Sequence, residues 1–160
     1  ALEGMLLMDV NIGMTSFVRA MNWLEGSELQ VWVIRHKGMM SAYVKKALTS
    51  SRENVRRSAL IALTYLPERD QIDVAADWVE KTSSPDVRIR LSELLAKRGF
   101  SRVEGALEKF AKSSHIGTRA AAIRLLASHG KAADLVAAAL EDSAVEVQLA
   151  AVRGILGKKR

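Results

Sequence analysis

One pattern recurs four times in the last two thirds of this 160-residue chain, and it narrows what the chain can fold into more than any other feature. The first copy is Val55-Arg56, Ala59, Ala62-Leu63, and the second is Val87-Arg88, Leu91, Leu94-Leu95. The third is Thr118-Arg119, Ala122, Leu125-Leu126, and the fourth is Val147-Gln148, Ala151, Gly154-Ile155. Offsets 0, 4, 7 and 8 fall on one side of an α-helix, so each copy buries the same apolar face and keeps small residues where a neighbouring helix approaches. The copies start 32, 31 and 29 residues apart, which accommodates two helices and two turns. A second helical segment does precede each copy: Met39 to Leu48, Ile72 to Lys81, Val103 to Lys112 and Ala132 to Glu141. Every unit therefore reads as a helix pair.

The joints are punctuated to match. Ser50-Ser51, Ser83-Ser84-Pro85, Ser113-Ser114 and Asp142-Ser143 precede the second helices, where serine satisfies free backbone N–H groups, and Pro67, Gly99 and Gly130 follow those helices. An apolar residue followed by Arg, then small residues and a Leu at the eighth position, resembles the second-helix pattern of HEAT repeats over about residues 38–157. The short repeat length is similar to that of compact bacterial HEAT repeats of the bilin lyase-like kind. Gln148 stands where that pattern has Arg, and Gly154 where it has Ala. The resemblance implies an all-α, armadillo-like fold: an α-solenoid of antiparallel helical hairpins stacked into a right-handed superhelix. Four repeats are expected, at about 38–66, 68–99, 101–130 and 131–157, followed by a basic C-terminal tail.

Residues 1–37 are expected to form a helical cap or a degenerate repeat. Thr15 to Leu24 puts Phe17, Val18, Met21 and Leu24 on one helix face, with Val18-Arg19 as the degenerate start of a fifth unit. Ser27 to His36 alternates Leu29, Val31 and Val33 as a strand would, but its setting in an all-helical chain favours a helix. All six methionines, Met5, Met8, Met14, Met21, Met39 and Met40, lie in the first 40 residues. Their adaptable thioethers would suit a binding surface for an apolar helix, and suit a cap packed on the first repeat better.

Charge does not single out nucleic acid. There are 24 basic and 18 acidic side chains, and Lys158, Lys159 and Arg160 supply half of the net +6. The remainder is a mixed, solvated surface. With no cysteine, and with His36, His115 and His129 far apart, no disulfide or zinc site is expected, and no cofactor. The apolar stretch Met5 to Leu24 is interrupted by Asp9, Asn11 and Arg19, so it does not read as a membrane span. No charged leader precedes it, and a chain opening on Ala reads as a piece of a longer polypeptide. A cytoplasmic location is expected.

The HEAT resemblance implies that Arg56, Arg88 and Arg119 form an internal ladder with acidic residues of neighbouring repeats, with Glu53, Asp86, Asp142 and Glu146 placed as partners. It also implies that the exposed side of the second helices lines a concave surface. Arg57, Ile61, Ile89, Arg90, Glu93, Lys97, Arg124 and Arg153 are the candidate partner-binding residues there. Six residues beyond each pattern start stand Ile61, Glu93, Arg124 and Arg153, a column that mixes signs and apolar groups. A groove for a phosphate backbone would repeat positive charge. Aromatic platforms like those of HEAT-like DNA glycosylases are also missing, since nothing aromatic follows Phe110.

No phosphate loop or nucleophile turn is present, and Asp70, Asp73 and Asp77 read as a solvated helix face rather than a cation site. The expected function is a non-catalytic protein-interaction or scaffold module within a larger protein. One alternative is a nucleic-acid-binding module using Arg57, Arg90, Lys97, Arg124, Arg153 and the basic tail. Another is an accessory domain of a cofactor-lyase-like enzyme, which would need converging ionisable groups in a pocket. The last helix, within 143–157, is apolar on almost every side, whereas terminal repeats present a polar outer face; a partner or another segment of the parent chain is expected to cover it.

Overall fold

The computed structural model describes residues 10–21 and 26–157, and its regular structure there is entirely helical. The helices are α1 (Val10–Met21), α2 (Gly26–Leu48), α3 (Glu53–Leu63), α4 (Glu68–Trp78), α5 (Pro85–Arg98), α6 (Glu104–Phe110), α7 (Ile116–Ser128), α8 (Ala133–Ala139) and α9 (Val145–Leu156), with a 3-10 turn at Phe100–Arg102. Leu24, Trp23, Met5, Met8 and the tail Lys158, Lys159 and Arg160 lie outside the described residues. Two compact units divide the chain, residues 1–74 and 75–160.

In the first unit α1, α2 and α3 all pack on one another. Met14, Phe17, Met40, Val44, Leu48 and Leu63 are fully buried. Around Phe17 stand Trp32, with ring centroids 5.8 Å apart, and Tyr43 at 6.5 Å in an edge-on arrangement. Met14 and Met40 are thus core residues here, while Met39 is exposed. The segment 27–36 is helical, and the break expected between residues 37 and 38 does not occur, because α2 runs unbroken from 26 to 48. No proline interrupts it, and Gly38 in mid-helix costs only about 1 kcal/mol. The end of α3 is held by Gln71, a buried residue whose side-chain amide donates to the carbonyls of Thr64 (3.0 Å) and Leu66 (2.6 Å).

In the second unit α7 is central. It packs against α5 on one side and α9 on the other, with α6 and α8 alongside. Helix α5 starts on Pro85 after Ser84, carries Asp86 in its first turn and ends on Lys97 and Arg98, an order that complements the backbone dipole. Helix α7 ends in a Schellman turn: Gly130, at φ 64°, donates to Ala127, and Lys131 donates to Leu126. The His129 ring stacks on Phe100 with centroids 4.1 Å apart, and its Nε2 lies 3.0 Å from the Ala96 carbonyl oxygen, tying the end of α7 to the end of α5.

Helices α7 and α9 approach unusually closely. A Cβ built on Gly154 would lie 2.5 Å from the Ala127 Cβ and 2.7 Å from the Arg124 carbonyl oxygen. Glycine at this position, where the repeat pattern has Ala, is what the approach requires.

Candidate interaction surface

The four joints leading into α3, α5, α7 and α9 share one hydrogen-bond arrangement. A short polar side chain accepts the N–H two residues on: Ser50 from Arg52, Thr82 from Ser84, Ser113 from His115, and Asp142 from Ala144, at 2.9–3.2 Å. The backbone carbonyl of that same residue accepts from a side chain six residues on: Ser50 from Arg56, Thr82 from Arg88, Ser113 from Arg119, and Asp142 from Gln148, at 2.5–2.8 Å. The serine side chains expected from the sequence to cap the helices therefore make these turn bonds instead. The N-caps are Arg52, Ser84, His115 and Ala144, and of these only His115 caps through its side chain, its Nδ1 accepting the Thr118 N–H at 3.1 Å.

The ladder expected of Arg56, Arg88 and Arg119 takes a different form. Arg119 does pair with a carboxylate 23 residues on, its Nε and Nη2 meeting both oxygens of Asp142 at 2.8 and 3.0 Å with both side chains largely covered. The Arg119 bonds and the Ala144 N–H hold the Asp142 carboxyl below the usual carboxylate range, and Asp142 in turn raises Arg119. Among the described residues, however, Arg56 bonds the carbonyls of Ser50 and Ser51, while Arg88 bonds Thr82 and lies 5.0 Å over the Phe110 ring. What recurs is an N–H donor of the right reach, so Gln148 fills the role without charge.

The candidate concave-face residues separate by unit. In the first, Arg57 is exposed and pairs with Glu53 one turn away, and Ile61 is exposed beside it on α3. In the second, Glu93 of α5 binds Arg90 at 3.2 Å on its own helix and Arg124 of α7 at 2.8 Å. Glu93 and Arg124 are successive members of the column read from the sequence, and they meet in space. Ile89 is half-buried, and Lys97 and Arg153 are exposed. The α5–α7 surface is therefore a cross-linked patch in which one carboxylate serves two guanidinium groups.

The cleft beneath it, between α5, α6 and α7, is lined by Arg88, Ile89, Ser92, Leu107, Phe110 and Thr118 and carries one ionisable group. Among the described residues no three His, Asp or Glu side chains converge as metal ligands would, Asp70, Asp73 and Asp77 included. No described helix is long and apolar enough to cross a membrane.

Sequence reasoning passed over several exposed apolar side chains, notably Val31 and Ile34 on α2 and Leu140 after α8. The strand-like alternation of 29–33 hid Val31. The outward side of α9 is exposed at Val145, Leu149, Val152, Ile155 and Leu156. No family model, no curated protein and no solved structure matches this chain, so the geometry alone bears on what it does.

Proposed function

We propose that this chain is a HEAT-like α-solenoid module that binds another protein in the cytoplasm and catalyses no reaction itself. The observation that carries this reading is the Arg90–Glu93–Arg124 cluster: two of the positive charges that a phosphate backbone would need are engaged by a carboxylate within the surface itself. Adjacent apolar area at Ile89 and free-standing polar ends such as Lys97 give the mixed chemistry of protein interfaces. The row α5, α7, α9 and the fourfold joint support the solenoid assignment.

The test is a photo-crosslinking residue in place of Lys97, used in cells with the full chain. Adducts sensitive to protease and indifferent to nuclease are expected, and they should weaken when Arg124→Glu reverses the patch. Nuclease-sensitive adducts, with salt-dependent retention on random duplex or single strands, would establish the nucleic-acid reading instead. No adduct at all would remove the binding reading.

A further inference from the structure

Positive charge gathers on one helix of this chain. Between Val31 and Arg52 stand five basic residues, Arg35, Lys37, Lys45, Lys46 and Arg52, and no acidic one. From residue 53 to residue 157 the balance is 15 basic to 14 acidic, so the mixed surface expected from the totals holds only there. Helix α2 carries all of the five but Arg52. Among the described residues no carboxylate pairs with Arg35, Lys37 or Lys46, whereas Arg57, Arg119 and Arg124 are each engaged by one.

The helix turns this charge outward. At about 100° per residue, the buried residues Val33, Met40, Tyr43, Val44, Ala47 and Leu48 all fall on one side of α2. On the other side Val31, Gly38 and Ala42 lie within about 40° of one another around the axis, and all three are exposed. Ile34 and Lys45 flank that line on one edge, Arg35 and Lys46 on the other. The unit fills its core from the far side, yet Val31 and Ile34 stand 57 and 63% exposed among the cations.

Two features of this face identify what it meets. Arg35 and Lys46 are separated by about 17 Å along the axis, so the complementary charge is extended rather than a single carboxylate or phosphate. Between the cations the face is apolar or small. A nucleic-acid strand supplies extended charge but nothing for valine and isoleucine to enter, and the face has no aromatic side chain on which bases could stack. An anionic lipid leaflet supplies both, headgroups for the cations and an acyl boundary for the apolar side chains. No described helix is long and apolar enough to cross the bilayer, so α2 would lie along its surface.

We propose that α2 is an interfacial helix that rests on an anionic lipid surface, with Val31 and Ile34 entering the headgroup layer and Arg35, Lys45 and Lys46 held against lipid phosphates. The contact belongs to the first unit and uses none of Arg90, Glu93 and Arg124, so it neither needs nor excludes a protein bound there. With two large apolar side chains and a few cations, the attachment is weak and reversible.

Vesicles of phosphatidylcholine with about 30% phosphatidylserine should sediment the full chain, and vesicles of phosphatidylcholine alone should not. Binding should fall steeply as salt rises from about 0.05 to about 0.5 M. Arg35→Glu with Lys46→Glu should weaken it by about tenfold or more, and so should Ile34→Asp. Helix content and melting temperature should stay unchanged in both, because these side chains are exposed. Lys158→Gln, Lys159→Gln and Arg160→Gln together should leave most of the binding in place. The chain has no cysteine, so Ile34→Cys accepts a single environment-sensitive dye, whose emission should shift to the blue on the anionic vesicles. No binding, equal binding to both vesicles, loss of binding with the tail variants alone, or an unshifted dye would overturn the proposal. So would retention on random single strands or duplex without retention on vesicles, which would assign the face to nucleic acid.

Discussion

In the first unit the space between α1, α2 and α3 is taken up by Phe17, Trp32, Tyr43, Met14 and Met40, whereas α7 and α9 come so close where Gly154 meets Ala127 and Arg124 that no further carbon fits there. The first interior is filled by rings and thioethers; the second is filled by Leu91, Leu95, Leu107, Ile123 and Leu126 and closes between α7 and α9 on a glycine. Large rings and thioethers fit together in more than one way, so such a core yields to small changes but suffers badly when a ring is lost. A glycine contact has no slack and fails on the addition of one carbon.

The largest effect should come from Phe17→Ala, about 3–5 kcal/mol, because the side chain is fully buried among two other rings. Hydrogen exchange resolved by unit should show the loss in residues 10–74 first, and equal loss of protection in both units would break the comparison. Next comes Gly154→Ala, about 1–3 kcal/mol, read by urea unfolding and felt in α7 and α9. If this alanine is neutral, the helices have room to part and the second interior resembles the first. Gln148→Ala should cost about 1 kcal/mol by freeing the Asp142 carbonyl, and Gln148→Arg should restore most of it. Failure of arginine to restore would show that the four joints are not equivalent.

The smallest expected effect sharpens the comparison through pH. The Asp142 carboxyl is held below its ordinary range in the folded state, so its contribution is fully present above about pH 4 and fades as pH falls through the lowered value. Asp142→Asn should therefore lower the melting temperature at neutral pH and make no difference in strong acid. A difference that persists in acid would show that the variant loses more than the Asp142 charge, since the asparagine oxygen can still accept the Ala144 N–H.

The second helices were legible because their signal is periodic. Val55, Val87, Thr118 and Val147 head the four copies, and each is buried in α3, α5, α7 and α9. Helix α2 was harder to read, because Val31 and Val33 imitate a strand and Gly38 falls where a boundary would be drawn, although nothing crowds that glycine in mid-helix. The Glu93–Arg124 pair was foreshadowed by its column, yet the pairing itself depends on two side chains turning toward one another. The joints misled for a physical reason. An arginine beside acidic residues suggests ion pairs, while its actual acceptors in α3 and α5 are carbonyls, which every residue carries and no sequence displays.

Those acceptors also determine how freely the surface can change. Because each hinge is fastened to main-chain oxygen, any side chain long enough to deliver an N–H closes it, and the surrounding charges can be rewritten without loosening the bend. Lineages or designers could thus recolour the exterior of one hairpin at a time, altering what it recognises while its angle stays as it was.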